Sequence, residues 1–528
     1  MKFIQGHNRN QIALFPQSLE QSIDPDNEVR LIDLFVKGLN LSKMGFKADY
    51  MENGRPAYHP ADLLRLLLYG YLNRIRSSRC LEKEARRNIE VMWLLSSLTP
   101  DHNTISRFLR LNKKAIGKVF RATVDMAQAL KLIGGTLIAG DSTKMRAQNS
   151  KKNNFNQNKI DRHLGLIEDK LAEYLFELEQ TDNAQDQQQI LDSIEVQQKR
   201  KAQYHNLEKQ LQQSGEPQIS VSDPESRQLM VRNNISEVAY NVQTTVDAKH
   251  NLIIDYKVTN QNDMQAMGMM VRRAKTILKT NEFTALYDKG YHSGPEIRKV
   301  QQMGVNGIAA VPGLPSGSQA PNPAYNVSEF IWNPQSHTYT CPMGETLTTT
   351  GTWHKKKSYG GRKEPYLMQQ FKTLACKGCE AKQLCTKNSR GRLVERTEYT
   401  PYVEENKRKT EQSKEIYKKR QAIVEHPYGT IKRQWGFNYI LSKKGIARAS
   451  ADVGLMLIAY NLRRLINILG IKELFKVLEI IVLHILAFVR VIQRKISPFF
   501  AVRASVDFPV KINKYLYFTF IFEKKLEF

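Results

Sequence analysis

Apolar positions are dense early in the chain. Leu63, Leu64, Leu66, Leu67 and Leu68 follow Pro60-Ala61-Asp62, which predicts a buried helix opened by a first-turn proline. A second helix is predicted near Leu81 to Leu95, with Arg86 and Arg87 among its apolar residues. The polar stretch Thr99-Pro100-Asp101-His102-Asn103 reads as a turn offering Asp and Asn as N-caps. Thr104 to Arg110 then opens a third helix, trailed by Lys113, Lys114, Lys118 and Arg121. Residues 1 to about 125 therefore read as mainly helical.

From Gly134 the period changes. Gly135 to Gly140 predicts a short buried strand that ends at Asp141. Residues 149 to 158, rich in Asn and Lys, predict a loop. Ile160, Leu164, Ile167, Leu171, Tyr174 and Leu178 recur at heptad spacing, with a second seam at Ile190, Ile194, Tyr204, Leu207 and Leu211. With the break at Thr181-Asp182-Asn183 they predict an antiparallel helical hairpin, serving as a surface feature or a dimer contact. Residues 237 to 259 predict two strands about a turn at 247 to 251, followed by a helix over about 263 to 279. Phe283 to Tyr287 predicts a strand ending at Asp288, and Val305 to Val311 another. Pro, Gly and aromatic residues over 312 to 400 predict a small β-rich insertion, and helices return from about 403 to 469. This order of elements matches the ribonuclease H topology, in which a mixed sheet presents acidic groups at strand ends.

Charge narrows the partners. The 528 residues carry 79 Lys and Arg against 52 Asp and Glu, a formal net charge of +27. Such a surplus favours a polyanion, and the clustering of basic residues near particular motifs favours nucleic acid over a membrane. The apolar run from Ile480 to Val489 is ten residues long and holds His484. A spanning helix needs about 20 apolar residues. The start, Met1 to His7, shows no apolar signal region, so a cytoplasmic protein is expected. Among the short helix, turn and basic helix, Arg107 and Arg110 are placed as a helix-turn-helix DNA reader would place them, although ordinary helical bundles share that pattern.

The candidate chemistry is carboxylate chemistry. Cutting a phosphodiester needs divalent cations, which take oxygen ligands. Asp141 and Asp288 each follow an apolar strand, and a third acid, Glu425, stands on a helical stretch ahead of Lys432 and Arg433. Pro427 predicts a helix break next to Glu425. Lys144 and Arg146, just past Asp141, are suited to hold DNA phosphates. His426 is a further phosphate candidate or a structural residue, and Asp223 and Glu225 read as loop acids. Cys341, Cys376, Cys379 and Cys385, spaced C-x34-C-x2-C-x5-C, suit a tetrahedral zinc shell; free thiols are the alternative. Cys80 is left over and is expected to pack in a helix. Trp353 to Tyr359 is a basic, aromatic stretch, either a track for DNA backbone or a solvated loop.

The marks Gly54-Arg55-Pro56-Ala57-Tyr58, Ile75-Arg76-Ser77-Ser78-Arg79, Gly140-Asp141-Ser142-Thr143, Asp288-Lys289-Gly290-Tyr291, Val424-Glu425-His426-Pro427-Tyr428-Gly429 and Ala459-Tyr460-Asn461-Leu462 occur in this order. In that order the chain resembles the bacterial insertion-sequence transposases of the DDE type, from about Gly54 to Leu465. The resemblance implies an enzyme that binds terminal inverted repeats in double-stranded DNA, frees 3′ ends and joins them to target DNA. It implies magnesium or manganese held by Asp141, Asp288 and Glu425, and a homodimer that pairs two ends. Of the related Tyr-x2-Arg-x3-Glu-x6-Lys signature, Tyr417 and Arg420 keep their spacing, as do Glu425 and Lys432, but Arg420 to Glu425 holds one extra residue. The expected organisation is mixed α+β. Residues 1–130 form an all-α DNA-binding domain. Residues 131–470 form a ribonuclease H-like core with a helical-hairpin insert at 157–215 and a cysteine-bearing β-rich insert at 312–400. Residues 471–528 form an apolar and basic extension. The competing readings are a ribonuclease H-like nuclease that does not join strands and a non-catalytic DNA-binding descendant of a transposase.

Overall fold

The computed structural model describes residues 18–47, 56–232, 235–314, 318–356, 365–441, 444–480 and 483. Met1 to His7, Gly54-Arg55, Lys357, Tyr359, nearly all of the 480–489 run and the terminal tail lie outside the described residues. The fold is mixed α+β. Two compact units divide the described residues: those within Met1–Gly134, Ser142–Asn262 and Ile423–Phe528 form the first, and those within Gly135–Asp141 and Asp263–Ala422 the second.

The first unit opens with α1 (Glu28–Lys37), α2 (Pro60–Leu72), α3 (Ser78–Arg87), α4 (Ile89–Leu94), α5 (His102–Leu111) and α6 (Lys113–Ala129). The single helix predicted over 81 to 95 is two. Asn88 takes an extended backbone that ends α3, and its side chain accepts from Glu90 and Val91 to start α4. Asp101 caps α5 as its sequence suggests, accepting from the amides of Asn103 and Thr104. Cys80 lies on α3 but is exposed, contrary to the expected packing. Later in this unit come short strands β2 (Asn154–Phe155) and β3 (Ile219–Ser220), which flank the hairpin of α7 (Gln157–Gln180) and α8 (Ala184–Ser214). The expected loop at 149 to 158 thus already holds β2 and the first turn of α7. Strand β5 (Ile235–Asp247) pairs antiparallel with β4 (Arg227–Arg232) and then with β6 (Ile253–Thr259).

The last helix of the unit, α14 (Ile446–Leu469), is buried along most of its length, which its apolar residues on every face require. Three polar devices fix it. Asn461 both accepts from the Ile253 amide (3.1 Å) and donates to the Ile253 carbonyl (2.9 Å), taking the place of a neighbouring strand against β6. Asp223, fully buried, accepts from the Gly445 amide (2.9 Å) and from the Tyr240 hydroxyl (2.7 Å), and Glu225 accepts from Ile446 (2.9 Å). Those two loop acids therefore satisfy the orphan amides at the start of α14. Finally, Asp452 forms an ion pair with Arg76 at 2.7 Å, with side chains 0% and 5% exposed. Asp452 also accepts from the Tyr71 hydroxyl and the Leu441 amide, while Arg76 stacks over Phe437 at 4.8 Å and donates to the Tyr439 carbonyl.

The second unit holds the first residues of β1 (Leu137–Arg146), then α9 (Met267–Leu278), β7 (Thr284–Tyr287), α10 (Gly294–Gln302) and β8 (Asn306–Ala309). Strand β7 pairs in parallel with β1 on one side and β8 on the other. Asn406, on α12 (Thr400–Gln412), closes β8 by bonding both the amide and the carbonyl of Ala309 (3.0 and 2.8 Å). The 312–400 segment forms two three-stranded sheets, one from β9 (Ile331–Asn333), β10 (Thr338–Thr340) and β11 (Thr346–Leu347), the other from β12 (His354–Lys356), β13 (Tyr366–Phe371) and β14 (Val394–Thr397). They share a core of Phe330, Tyr339, Leu347, Phe371 and Val394. A short helix, α11 (Lys382–Cys385), precedes β14. Among the described residues no single helix is long and apolar enough to cross a membrane.

Asp452→Ala would leave the Arg76 guanidinium buried without its counter-charge, at a cost of about 3–5 kcal/mol. The urea unfolding midpoint of the first unit is expected to fall with an unchanged slope; an unaltered midpoint would remove this pair from the structural account.

Candidate active site

Asp141 does not end its strand. Strand β1 runs on through Arg146, because the polar stretch Ser142–Arg146 still alternates, burying Thr143 and Met145. It also finds a partner of its own within the first unit: Arg146 donates to Asn438 (3.2 Å) and accepts from Ile440 (2.8 Å). Asp288 does end β7 as expected. Its side chain accepts from the Gly290 amide at 2.8 Å and so caps the turn Lys289–Tyr291.

Strand register places these two acids. Leu137, Ile138 and Ala139 lie opposite Thr284, Ala285 and Leu286. Asp141 stands two residues beyond the last of these pairs on β1, and Asp288 directly follows the end of β7 at Tyr287. The residue before Asp141 is fixed by packing. The Tyr287 ring lies across Gly140 so closely that a β-carbon there would fall inside contact distance of the ring. Tyr287 in turn packs against Tyr291, ring centroids 4.8 Å apart.

Two residues of the partial signature reach this pair. Both lie on α13 (Lys414–Tyr428). The Tyr417 hydroxyl donates to the Tyr287 carbonyl at 2.9 Å, and the Arg420 guanidinium stands 3.6 Å from the Asp141 carboxylate. Burial pushes the Tyr417 hydroxyl up, with Asp288 and Asp141 adding to the rise and Arg420 opposing it. So Asp141, Asp288, Tyr417 and Arg420 form one cluster in the second unit.

Glu425 is exposed and belongs to the first unit, five residues beyond Arg420 on the same helix. The expected break beside it is absent. Helix α13 passes through Pro427 to Tyr428 and only then loosens into a π-helical stretch, Gly429–Gln434. Proline removes one amide donor from the ladder, and the ladder answers by changing register one turn later rather than by ending.

The basic residues divide by what they touch. Lys432 donates to the Thr143 hydroxyl (2.9 Å) and the Lys144 carbonyl (3.2 Å), and Lys144 bonds the Ser142 hydroxyl at 2.9 Å. Sequence spacing gave no sign of this tie between Lys432 and β1. Arg146 pairs with Glu237 at 2.6 Å yet stays 64% exposed. Arg433, Arg107 and Arg110 are exposed. His426 is structural: it bonds the Tyr460 hydroxyl at 2.8 Å, and burial lowers its pKa.

Carboxylates set side by side repel, and hard oxygen donors in that position suit a divalent cation. Among the described residues, however, no three His, Cys, Asp or Glu side chains already stand together as a metal shell. Cys341, Cys376, Cys379 and Cys385 do line one common pocket in the second unit, and burial raises the Cys385 thiol.

Two families match the chain. That described as Transposase domain (DUF772) matches residues 17–111, and that described as Transposase DDE domain matches residues 340–466. No curated protein matches it.

Gly140→Ala should force the Tyr287 ring out of place and destabilise the second unit by about 1–3 kcal/mol, the scale of overpacking. Adding Tyr287→Leu should restore part of the lost melting temperature. If Gly140→Ala alone melts as the parent does, the ring is not what requires glycine there.

Proposed function

We propose that the chain, which matches transposase families over residues 17–111 and 340–466, is a DDE transposase of an insertion sequence that binds the terminal inverted repeats of its element, cleaves at the 3′ ends and joins them to target DNA. The observation that supports this reading is the parallel pairing of β1, which bears Asp141, with β7, which leads directly to Asp288, together with Arg420 beside Asp141. The antiparallel pair β5–β6 and the parallel run β1–β7–β8 support reading the core as ribonuclease H-like.

Asp141, Asp288 and Glu425 are the ligands for magnesium or manganese in this proposal. The metal supplies activation of the attacking oxygen and stabilisation of the leaving oxygen. Arg420 holds the scissile phosphate by its planar fork, and Tyr417, anchored on Tyr287, sets the direction of that arm. Lys144, Arg146, Lys432 and Arg433 line the backbone path, where they position the strand without reading its sequence. Arg107 and Arg110, on the exposed side of α5, contact duplex DNA. Pairing two element ends calls for a homodimer, acting in the cytoplasm.

The test is an assay with end-bearing duplex, target DNA and magnesium. Asp141→Asn and Asp288→Asn should each lower cleavage by about 10²–10³-fold or more while DNA binding persists. Undiminished cleavage in either variant sinks the assignment. Hydrolysis without joined products in the parent protein would favour the nuclease reading, and binding without cleavage the non-catalytic one.

For Cys341, Cys376, Cys379 and Cys385 we propose a structural zinc site, supported by their convergence on one pocket and by the preference of zinc for four thiolates. Protein purified without chelator should hold one zinc per chain by elemental analysis, and Cys376→Ser should lose it. Four freely titrating thiols and no zinc would leave these as plain cysteines.

A further inference from the structure

A second polar pocket lies at the foot of the α7–α8 hairpin, wholly within the first unit. It is open, about 710 Å³ in volume, and lined among others by Lys151, Asn154, Lys159, Arg162, Gln228 and Met230. That volume suits a small organic ligand. Among the described residues its lining carries three cations and no carboxylate. Lys151 and Arg162 are exposed, whereas Lys159 is spent on structure, its ammonium bonding the carbonyls of Lys151, Lys152 and Asn154 at 2.9 Å. The start of α7, capped by the Asn156 side chain on the Lys159 amide, brings a positive helix end to the same place.

Two features ask for more than an anion. Asn154 is 4% exposed, and while its amide nitrogen donates to Gln218 at 2.8 Å, its Oδ1 has no hydrogen-bond partner among the described residues. A buried acceptor without a donor is costly and marks a place where a ligand N–H would be welcome. Beside it Met230 keeps 66% of its surface exposed, an apolar and polarisable wall. Cations for a phosphate, an unpaired acceptor for an exocyclic amine and a soft apolar wall for a flat ring together describe one ligand class, a nucleotide.

We propose that this pocket takes a nucleotide of an unpaired DNA strand, its phosphate against Lys151 and Arg162 and its base edge at Asn154. The inference rests on the reading of the chain as a DNA-binding transposase, and it gives the helical hairpin a role: α7 and α8 frame a site for a splayed strand. Bases displaced from a duplex are the ones whose edges such a pocket can reach.

The experiment uses the full chain and a mixed-sequence single-stranded oligonucleotide carrying a photoreactive thymidine. Crosslinks should map to residues 151–162 or 228–236. The double variant Lys151→Glu with Arg162→Glu, both exposed, should weaken binding about tenfold and lower the slope of log affinity against log salt by about 1.4, two contacts at about 0.7 each. Asn154→Asp, of the same shape, should weaken it as well. If both variants bind as the parent does while Arg433→Glu binds less, the pocket proposal fails and the DNA reading stands. If the parent binds neither this probe nor end-bearing duplex, the DNA reading itself fails and takes the pocket with it.

Discussion

The buried pair of Arg76 and Asp452 is the constraint on which the first unit depends. It joins the turn after α2 to the first third of α14, two segments 376 residues apart. Removing one partner from an ion pair this deep would leave the other charge uncompensated. Tyr71 and the Leu441 amide also donate to Asp452, while Arg76 engages Asp452 and the Tyr439 carbonyl through Nη2 and presents its guanidinium to the rings of Phe437, Tyr439 and Tyr71, its Nε and Nη1 having no hydrogen-bond partner among the described residues. The segment from Phe437 to Leu441 is therefore fixed by the pair. That segment supplies the Asn438 and Ile440 bonds to Arg146, the last residue of β1, a strand that also has β5 as a sheet neighbour.

The second unit applies a different constraint to the same strand. Gly140 is there for want of a side chain, since Tyr287 occupies that space. Tyr287 also offers its carbonyl to Tyr417. One aromatic residue therefore sets the spacing of β1 and β7 and anchors the helix that brings Arg420 to Asp141. The glycine before the first aspartate and the tyrosine before the second are two halves of a single packing contact.

Much of this was legible in the sequence where one residue acts through its own backbone. Period and capping gave α2, the start of α5, the hairpin helices and the strand before Asp288. Pattern failed where the deciding partner lies far along the chain. Nothing local marks Asn88 as a helix boundary until its extended backbone is seen. Strand β1 outruns its apolar residues, and its neighbours there lie far along the chain, β5 in the sheet and Asn438 and Ile440 at Arg146, the last two nearly 300 positions later. Asp223 and Glu225 read as loop acids because α14, whose amides they satisfy, begins more than 200 residues on. Arg76 and Asp452 look like ordinary surface charges until each is known to be the other's partner.

The spacing of Glu425 and Lys432 shows how a linear motif can mislead. Seven residues on a regular α-helix return to nearly the same face, which suggests two groups aimed at one DNA end. Here the interval crosses from α geometry into the π-helical stretch Gly429–Gln434, where each residue advances less around the axis. Lys432 therefore falls behind the face that Glu425 occupies. Its ammonium is found instead on the Thr143 hydroxyl and the Lys144 carbonyl. An ammonium has three donors, and two of them are directed at β1. Lys432 then acts as a positioning residue for Thr143 and Lys144 on β1, not as a second group on the helix face that Glu425 occupies.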